Sequence, residues 1–374
     1  MSVFKKFLHI VGARPNFIKV GPLIKSLDEK ILPGNQLLLH TGQHFDNNMS
    51  DVFFNELELP KPDINLNVST GNPILQLSEM ISGLSDTLTN FKPDCIIVYG
   101  DTNSALAGAL AGTKLSIPVA HVEAGLRSND KNMPEEINRI ITDNISEFLF
   151  TPSKDADKNL ARENISANKI FFVGNIMIDT LINSMPKINN SSVLEKLGLI
   201  NNHVSHIQPY TVLTLHRPTN VDNYQLLKHL LESVTSVPDI SPIVFPVHPR
   251  ATHLVNTICK NIDSKRLICI EPLGYLDFLK LIKESSLVIT DSGGIQEETT
   301  YLQTPCITLR TTTERPITIT EGTNELINPE SLNLADLLKI SIPNLKNKPS
   351  TIPELWDGKT GSRIAHILTA QYDN

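Results

Sequence analysis

Leu287-Val288-Ile289-Thr290-Asp291-Ser292-Gly293-Gly294-Ile295-Gln296-Glu297-Glu298 is the stretch that decides the fold class. Four residues with the apolar, β-branched character of a buried parallel strand meet a small-residue turn that opens directly into a helix. The first backbone N–H groups of such a helix have no internal partner, and the helix dipole adds partial positive charge there. Gly293 and Gly294 let a phosphate approach the backbone, and the Ser292 hydroxyl adds a donor. Glu298 stands one turn further on, where a carboxylate reaches ribose hydroxyls. The stretch predicts a nucleotide-diphosphate site at the carboxyl end of a strand.

The same grammar runs through the rest of the chain. Phe7–Val11, Leu37–His40, Cys95–Tyr99, Val119–Val122, Phe148–Thr151 and Ile170–Val173 are short apolar runs separated by helix-period segments. A second series comprises Val212–Leu215, Ile243–Val247, Leu267–Ile270, Leu287–Thr290 and Cys306–Leu309. Alternating units of this kind predict an α/β protein with two Rossmann-like domains facing a central cleft, ligands binding where the strands end. The chain has 374 residues, which suits two domains of roughly 150–200 residues each. The junction is expected near Gly174-Asn175, giving an N-terminal domain over 1–173 and a nucleotide-binding domain over 174–357. Lys187–Pro209 reads as a polar surface connection. A final helix, within 358–374, is expected to pack back on the first domain.

Composition narrows the function. The formal net charge is -7, which repels polyanions and argues against nucleic acid as a partner. No stretch approaches the ~18 apolar residues of a membrane span, and the short run after Lys5-Lys6 breaks at Gly12-Ala13-Arg14-Pro15 with no cleavage pattern. A cytoplasmic protein is expected. Cys95, Cys259, Cys269 and Cys306 read as buried thiols, with no disulfide or zinc spacing, and no metal is expected.

Charged motifs cluster at the predicted strand ends. Arg14 and Lys19 follow the first strand, Asp101 follows Gly100, and Glu123 follows His121-Val122. Pro134-Glu135-Glu136 opens a helix. Glu135 is read as functional and Glu136 as charge complementing the helix start. Asp101, Glu123 and Glu135 form an expected acid/base set, since burial and mutual repulsion raise a carboxylate's proton affinity. In the second half His216-Arg217 and His248-Pro249-Arg250 end strands, Phe278 offers a ring to a base, and Thr313-Glu314-Arg315-Pro316 supplies further charge.

The ordered set of motifs resembles the non-hydrolysing UDP-N-acetylglucosamine 2-epimerases over nearly the whole chain. It comprises GARP-x-x-I-K (Gly12–Lys19), GDT (Gly100–Thr102), HVEAGLR (His121–Arg127), PEE-x-NR (Pro134–Arg139), His216-Arg217, DSGG-x-QEE (Asp291–Glu298) and TERP (Thr313–Pro316). The resemblance implies a glycosyltransferase-B arrangement, a homodimer, no added metal or nicotinamide, and interconversion of UDP-N-acetylglucosamine with UDP-N-acetylmannosamine. It implies acid/base roles for Asp101, Glu123 and Glu135, and assistance to the diphosphate by His216. Arg14, Ser292, Gly293, Gly294, Glu298 and Arg315 resemble UDP contacts, with Phe278 near uracil and Lys19 within the cleft. Leu215-His216-Arg217-Pro218 differs from the G-H-R-R-E of many bacterial members. It resembles an archaeal-like branch and epimerases of diacetamido-uronic acid sugars. Gln43-His44-Phe45-Asp46 keeps only the first pair of the family's regulatory Q-H-x-Q pattern, and Ser69-Thr70-Gly71-Asn72 offers no arginine.

Overall fold

The structure is a computed structural model that describes residues 5–42, 56–201, 206–240, 242–263 and 265–370. The chain divides into two compact units, Met1–Asn183 with Glu354–Asn374, and Ser184–Pro353. The division falls inside the helix Ile176–Asn189, ten residues beyond the 173/174 boundary expected from sequence.

The first unit is built on seven parallel strands. They are β1 (Phe7–Val11), β2 (Gln36–His40), β3 (Ile64–Asn65), β4 (Cys95–Tyr99), β5 (Val119–Val122), β6 (Phe148–Thr151) and β7 (Ile170–Phe172), in the order β3-β2-β1-β4-β5-β6-β7. Every residue of β1, β4, β5 and β6 is buried, as the unbroken apolar runs require of strands covered on both faces. Chain order reverses between neighbouring β1 and β4, the position at which such sheets open to ligands. The turns after these two strands carry Gly12-Ala13-Arg14 and Gly100-Asp101.

The second unit has a two-residue antiparallel pair ahead of its main sheet, β8 (Ile200–Asn201) and β9 (His206–Ile207). Its main sheet is parallel: β10 (Thr211–Thr214), β11 (Ile243–Pro246), β12 (Leu267–Ile270), β13 (Leu287–Thr290), β14 (Cys306–Leu309) and β15 (Asn324–Ile327). The order is β12-β11-β10-β13-β14-β15, with its reversal between β10 and β13. Those two strands lead to His216 and to Ser292. Both units are Rossmann-like sheets, and in each the quoted motifs leave the strands that flank the switch point.

Three sequence expectations need correction. Lys187–Pro209 is not a plain surface connection, because it holds the short helix Val193–Lys196 and the β8–β9 pair, with Val193, Leu194 and Leu199 buried. β15 was not expected, because Asn324 and Glu325 interrupt its apolar character; Asn324 is nevertheless buried, its amide donating to Gln296 and Thr318. Two of the four cysteines are not buried. Cys269 faces outward on edge strand β12, and its sulfur lies 3.6 Å from that of half-buried Cys259. Among the described residues no helix is long and apolar enough to cross a membrane.

The first unit also takes up the last helix, Thr360–Ala370, which packs along the helix Arg14–Asp28. Pro22 lies inside the latter helix and has no N–H, so the carbonyl of Ile18 loses its intrahelical donor. The hydroxyl of Thr180 replaces it at 2.5 Å. The neighbouring Asp179, almost fully buried, accepts the Gly361 N–H at 2.8 Å and so satisfies an orphan donor at the start of the last helix. Burial outweighs that bond and lifts the Asp179 carboxyl from its ordinary 3.8 to about 6. A carboxyl with a raised folded-state pKa contributes stability that is present below pH 4 and lost as pH rises through about 6. The loss is on the order of 3 kcal/mol. The melting temperature of the wild type is therefore expected to fall between pH 4 and pH 7 more steeply than that of Asp179→Asn. Parallel profiles would show that Asp179 does not titrate in that window.

Candidate active site

In the first unit the turn after β1 depends on Gly12, where a Cβ would lie 1.8 Å from the Ser104 hydroxyl oxygen. Asn16 fastens this turn to the neighbouring strand. Its side-chain oxygen accepts the N–H groups of Gly12 and Ala13, each at 3.1 Å, and its amide donates to the Tyr99 carbonyl at 2.9 Å. The side chain of Arg14 lies outside the described residues, as does Gln43-His44-Phe45-Asp46. Lys19, one turn into the helix, is 4% exposed and forms an ion pair with Glu123.

Glu123 reaches Lys19 through an unusual backbone. Its φ is +75°, in the left-handed region that costs a residue with a Cβ on the order of 1 kcal/mol or more. The strain is held in place because the N–H groups of Glu123 and Ala124 both point at the Phe150 carbonyl, at 3.1 and 3.0 Å. Gly125 follows at φ +80° and donates its N–H to buried Asp143 at 3.1 Å. Gly100 completes the group from the adjacent strand. A Cβ there would lie 2.9 Å from the Lys19 ammonium and 3.5 Å from the Glu123 carboxylate. Lys19, Gly100 and Glu123 thus share one small volume at the carboxyl ends of β4 and β5.

Asp101 is next in the chain and is not a helix cap, since Thr102 caps the following helix by accepting the Ala105 N–H. The Asp101 side chain is 30% exposed and pairs with Arg139, whose guanidinium also holds Glu136 at 2.8 Å. Asn138 donates to the Asp101 carbonyl at 2.9 Å. Glu135 is exposed in the first turn of the helix Pro134–Ile145 and, among the described residues, pairs with no cation. Glu136 is more than the helix-start charge expected from sequence. It is 1% exposed and accepts the N–H groups of Ser128 and Asn129 at 3.0 and 2.8 Å, in addition to Arg139. The reason is geometric, because the third residue of this helix turns inward over the Ser128-Asn129 bend while the second faces solvent.

In the second unit Asp291 organises the site. Fully buried, it accepts the N–H groups of His216 and Arg217, at 3.1 and 3.0 Å, and the Asn220 amide at 3.0 Å. It also faces the His216 Nδ1 at 2.9 Å. Burial pushes its carboxyl up, but the His216 contact and these N–H groups outweigh that and hold it below the usual range. An ionised Asp291 is an acceptor only, so Nδ1 of His216 donates to it and Nε2 is turned away from the carboxylate. The His248 ring lies 6.0 Å away, tilted at 42°.

Ser292 precedes the helix Gly293–Leu302, and no side chain of the turn caps its first N–H groups. The Arg315 guanidinium lies over that helix start, and the bare Cα of Gly293 admits it, since a Cβ would sit 2.6 Å from Nη1. Arg315 pairs with Glu297 at 2.9 Å and with Glu314, while Arg310 pairs with Glu314 at 2.8 Å. Glu298 is buried, receives the Tyr275 hydroxyl at 3.0 Å and is pushed up to about 8, chiefly by burial and further by Glu297. It is therefore largely protonated at neutral pH. Phe278 is half-buried and packs on the apolar cluster that includes Val193 and Leu194. Among the described residues no cluster of three or more His, Cys, Asp or Glu could hold a metal ion.

Sequence reading gave no role to Asp291, Arg139 or Asp143, although all three lie within or close to quoted motifs. Their function is long-range: Asp291 acts on residues 74 and 75 positions away, which periodicity does not reveal. The contrast between the two adjacent glutamates is open to measurement. Glu136→Gln should lower unfolding stability by about 1–3 kcal/mol, because one neutral amide cannot serve two backbone donors and a guanidinium. Glu135→Gln should stay within about 0.5 kcal/mol of wild type in denaturant titration. Equal effects would mean that the two side chains have been interchanged.

Comparison with known proteins agrees with this geometry. The family described as UDP-N-acetylglucosamine 2-epimerase matches residues 33–369. The UDP-N-acetylglucosamine 2-epimerase of Methanocaldococcus jannaschii is 43% identical over 365 residues, covering 96% of this chain and 98% of its own. The UDP-2,3-diacetamido-2,3-dideoxy-D-glucuronate 2-epimerase of Pseudomonas aeruginosa is 36% identical, covering 97% of this chain and 99% of its own. A crystal structure of the Methanocaldococcus jannaschii enzyme in complex with UDP-GlcNAc and UDP superposes with a TM-score of 0.85, at 41% identity over 97% of this chain and 99% of that one. With matches that run through nearly every motif quoted above, the chain belongs to the UDP-N-acetylglucosamine 2-epimerase family.

Proposed function

We propose that this protein is a non-hydrolysing UDP-N-acetylglucosamine 2-epimerase, an isomerase that interconverts UDP-N-acetylglucosamine and UDP-N-acetylmannosamine. The observation that carries the reading is the grouping of Lys19, Gly100 and Glu123 beside Asp101 at the switch point of the first unit. It occurs in a chain whose second unit offers an uncapped helix start, Arg315 and a carboxylate-held histidine.

The chemistry needs both sets. C2 of the sugar has no neighbouring carbonyl, so its proton is not acidic enough for direct removal. Elimination solves this. The C2–H bond breaks as a base takes the proton, the electrons form a C1–C2 double bond, and the C1–O bond breaks to release UDP. The product is 2-acetamidoglucal, to which UDP re-adds at C1 as a proton returns to C2 from the opposite face. The Lys19 ammonium pairs with the Glu123 carboxylate, the group placed to act as base. Asp101 and Glu135 complete the proton-transfer set. His216, oriented by Asp291, donates to the departing diphosphate, together with Arg14, Ser292 and the backbone of Gly293 and Gly294. Arg315 contacts UDP through its guanidinium donors, Glu298 binds the ribose and Phe278 lies near uracil.

UDP-sugars are cytoplasmic metabolites, and the reaction would supply activated N-acetylmannosamine for surface polysaccharide, with the enzyme acting there as a homodimer. A second reading, epimerisation of a UDP-diacetamido-uronic acid, is supported by the 36% identical Pseudomonas aeruginosa relative. It is also supported by the Arg217-Pro218 step. Incubation with each UDP-sugar in deuterated water, followed by NMR, decides between the two. UDP-N-acetylglucosamine should yield UDP-N-acetylmannosamine carrying deuterium at C2, with little free sugar. Retention of hydrogen at C2 would count against the acid/base route, and turnover of the uronic acid alone would move the specificity to the second reading.

A further inference from the structure

His121 lies in the middle of β5, paired in register with Val98 and Leu149, and its side chain is completely buried. An apolar residue would fill that position without the desolvation cost of an imidazole, so its partners explain its presence. Nε2 is 2.8 Å from the Gly100 carbonyl, and Nδ1 is 2.6 Å from the Asp143 carboxylate. A carbonyl can only accept, so Nε2 carries a proton. Asp143 in turn takes the Gly125 N–H and pairs with Arg127 at 2.7 Å. Arg127 is held in its turn by Glu163 through two bonds of 2.7 Å. Burial pushes the Asp143 carboxyl up, but His121 and Arg127 together hold it below the usual range.

The consequence concerns one peptide group. Gly100 has φ +64° and sends its N–H to the Val122 carbonyl at 2.9 Å, while its carbonyl receives the His121 ring. Both polar ends of Gly100 are thereby tied to β5. Its carbonyl carbon is bonded to the nitrogen of Asp101, so the bond from His121 fixes the plane from which Asp101 departs. The same ring, through Asp143 and Gly125, is joined to the turn that begins at Glu123.

We propose that His121 is a positioning residue of the reaction, setting the spacing between Asp101 and Glu123 by its hydrogen bond to the Gly100 carbonyl. This rests on the reading of those two carboxylates as proton-transfer groups. His121 itself touches no substrate in this account. Misplacing a proton-transfer group by about 1 Å costs on the order of 10²-fold in rate, which gives the effect its size.

Two substitutions separate the two bonds of the ring. In His121→Gln the terminal amide takes the place of Nε2 and keeps a donor for Gly100. In His121→Asn the amide takes the place of Nδ1, reaches Asp143 and leaves the Gly100 carbonyl without a partner. The expected result is a kcat within about tenfold of wild type for His121→Gln and a loss on the order of 10²-fold for His121→Asn. KM for the UDP-sugar and Kd for UDP should change less than about threefold in both, since the ring acts only on the first unit's turns. Hydrogen exchange gives a readout independent of turnover: peptides covering Gly100-Asp101 should exchange faster in His121→Asn and not in His121→Gln.

Equal kcat in the folded variants, whatever their melting temperatures, would overturn the proposal, because a merely structural histidine lowers stability without this split. The reverse order, with Asn active and Gln impaired, would assign the role to the Asp143 bond instead and also overturn it. A wild-type protein that epimerises no UDP-sugar would defeat the functional reading. The exchange data would then decide by themselves whether His121 holds the Gly100-Asp101 peptide.

Discussion

In each unit the turns that carry the candidate residues depend on buried carboxylates that accept backbone N–H groups where strands end. Asp291 takes two such groups from the turn after β10, Glu136 takes two from Ser128 and Asn129, and Asp143 takes that of Gly125. Each would be costly to bury alone, and each is offset by a cation or imidazole as well as by these amides: His216, Arg139, and His121 with Arg127. Pairs of this kind add little net stability compared with apolar packing. What they supply is direction, because a carboxylate accepting two amides at about 3 Å leaves a turn only one conformation. The turns so fixed carry the groups proposed to do chemistry, which can then stay more exposed.

That arrangement divides the acids into two kinds. Asp101 and Glu135 retain exposure and belong to the proposed proton-transfer set, whereas Glu136, Asp143 and Asp291 are enclosed and hold backbone. Glu123 stands between them, buried but paired with Lys19, and reached through a strained φ of +75°. Such a conformation persists where the surroundings over-determine it, and here the Phe150 carbonyl and the Gly125–Asp143 bond do so. In the second unit Glu298 is pushed up to about 8, and Arg310 and Arg315 are balanced by Glu297 and Glu314. The attraction for an anion is therefore left largely to the helix start and to His216.

The fold was legible because its strands are unbroken apolar runs that end in glycine-containing or charged turns. Cys95–Tyr99 and Leu287–Thr290 match the expected ranges, and the switch points follow once the strands are ordered. The strands that escaped notice lack that signal: β3, β8 and β9 have two residues each, and β15 begins with Asn324-Glu325. At the site, Asp101, Glu123 and His216 were visible because each stands beside a strand end. The residues that position them were not, since a contact between Asp291 and Arg217 or between His121 and Gly100 crosses from one strand to another, over 74 and 21 residues, and leaves no periodic signal. The sign of burial at Glu135 and Glu136 was also hidden, because a helix start admits either side chain facing inward until its packing partner is known.

The central claim is that the bond between sugar and diphosphate breaks and re-forms during epimerisation. Positional isotope exchange tests it directly. UDP-N-acetylglucosamine labelled with oxygen-18 in the bridge between C1 and the β-phosphorus is incubated with the enzyme and followed by phosphorus NMR. If UDP leaves and returns as proposed, the label moves from the bridge into the non-bridging positions of the β-phosphoryl group at a rate comparable to epimerisation. A label that stays in the bridge while UDP-N-acetylmannosamine accumulates would contradict C1–O cleavage and the roles assigned to His216 and the Ser292-Gly293-Gly294 turn.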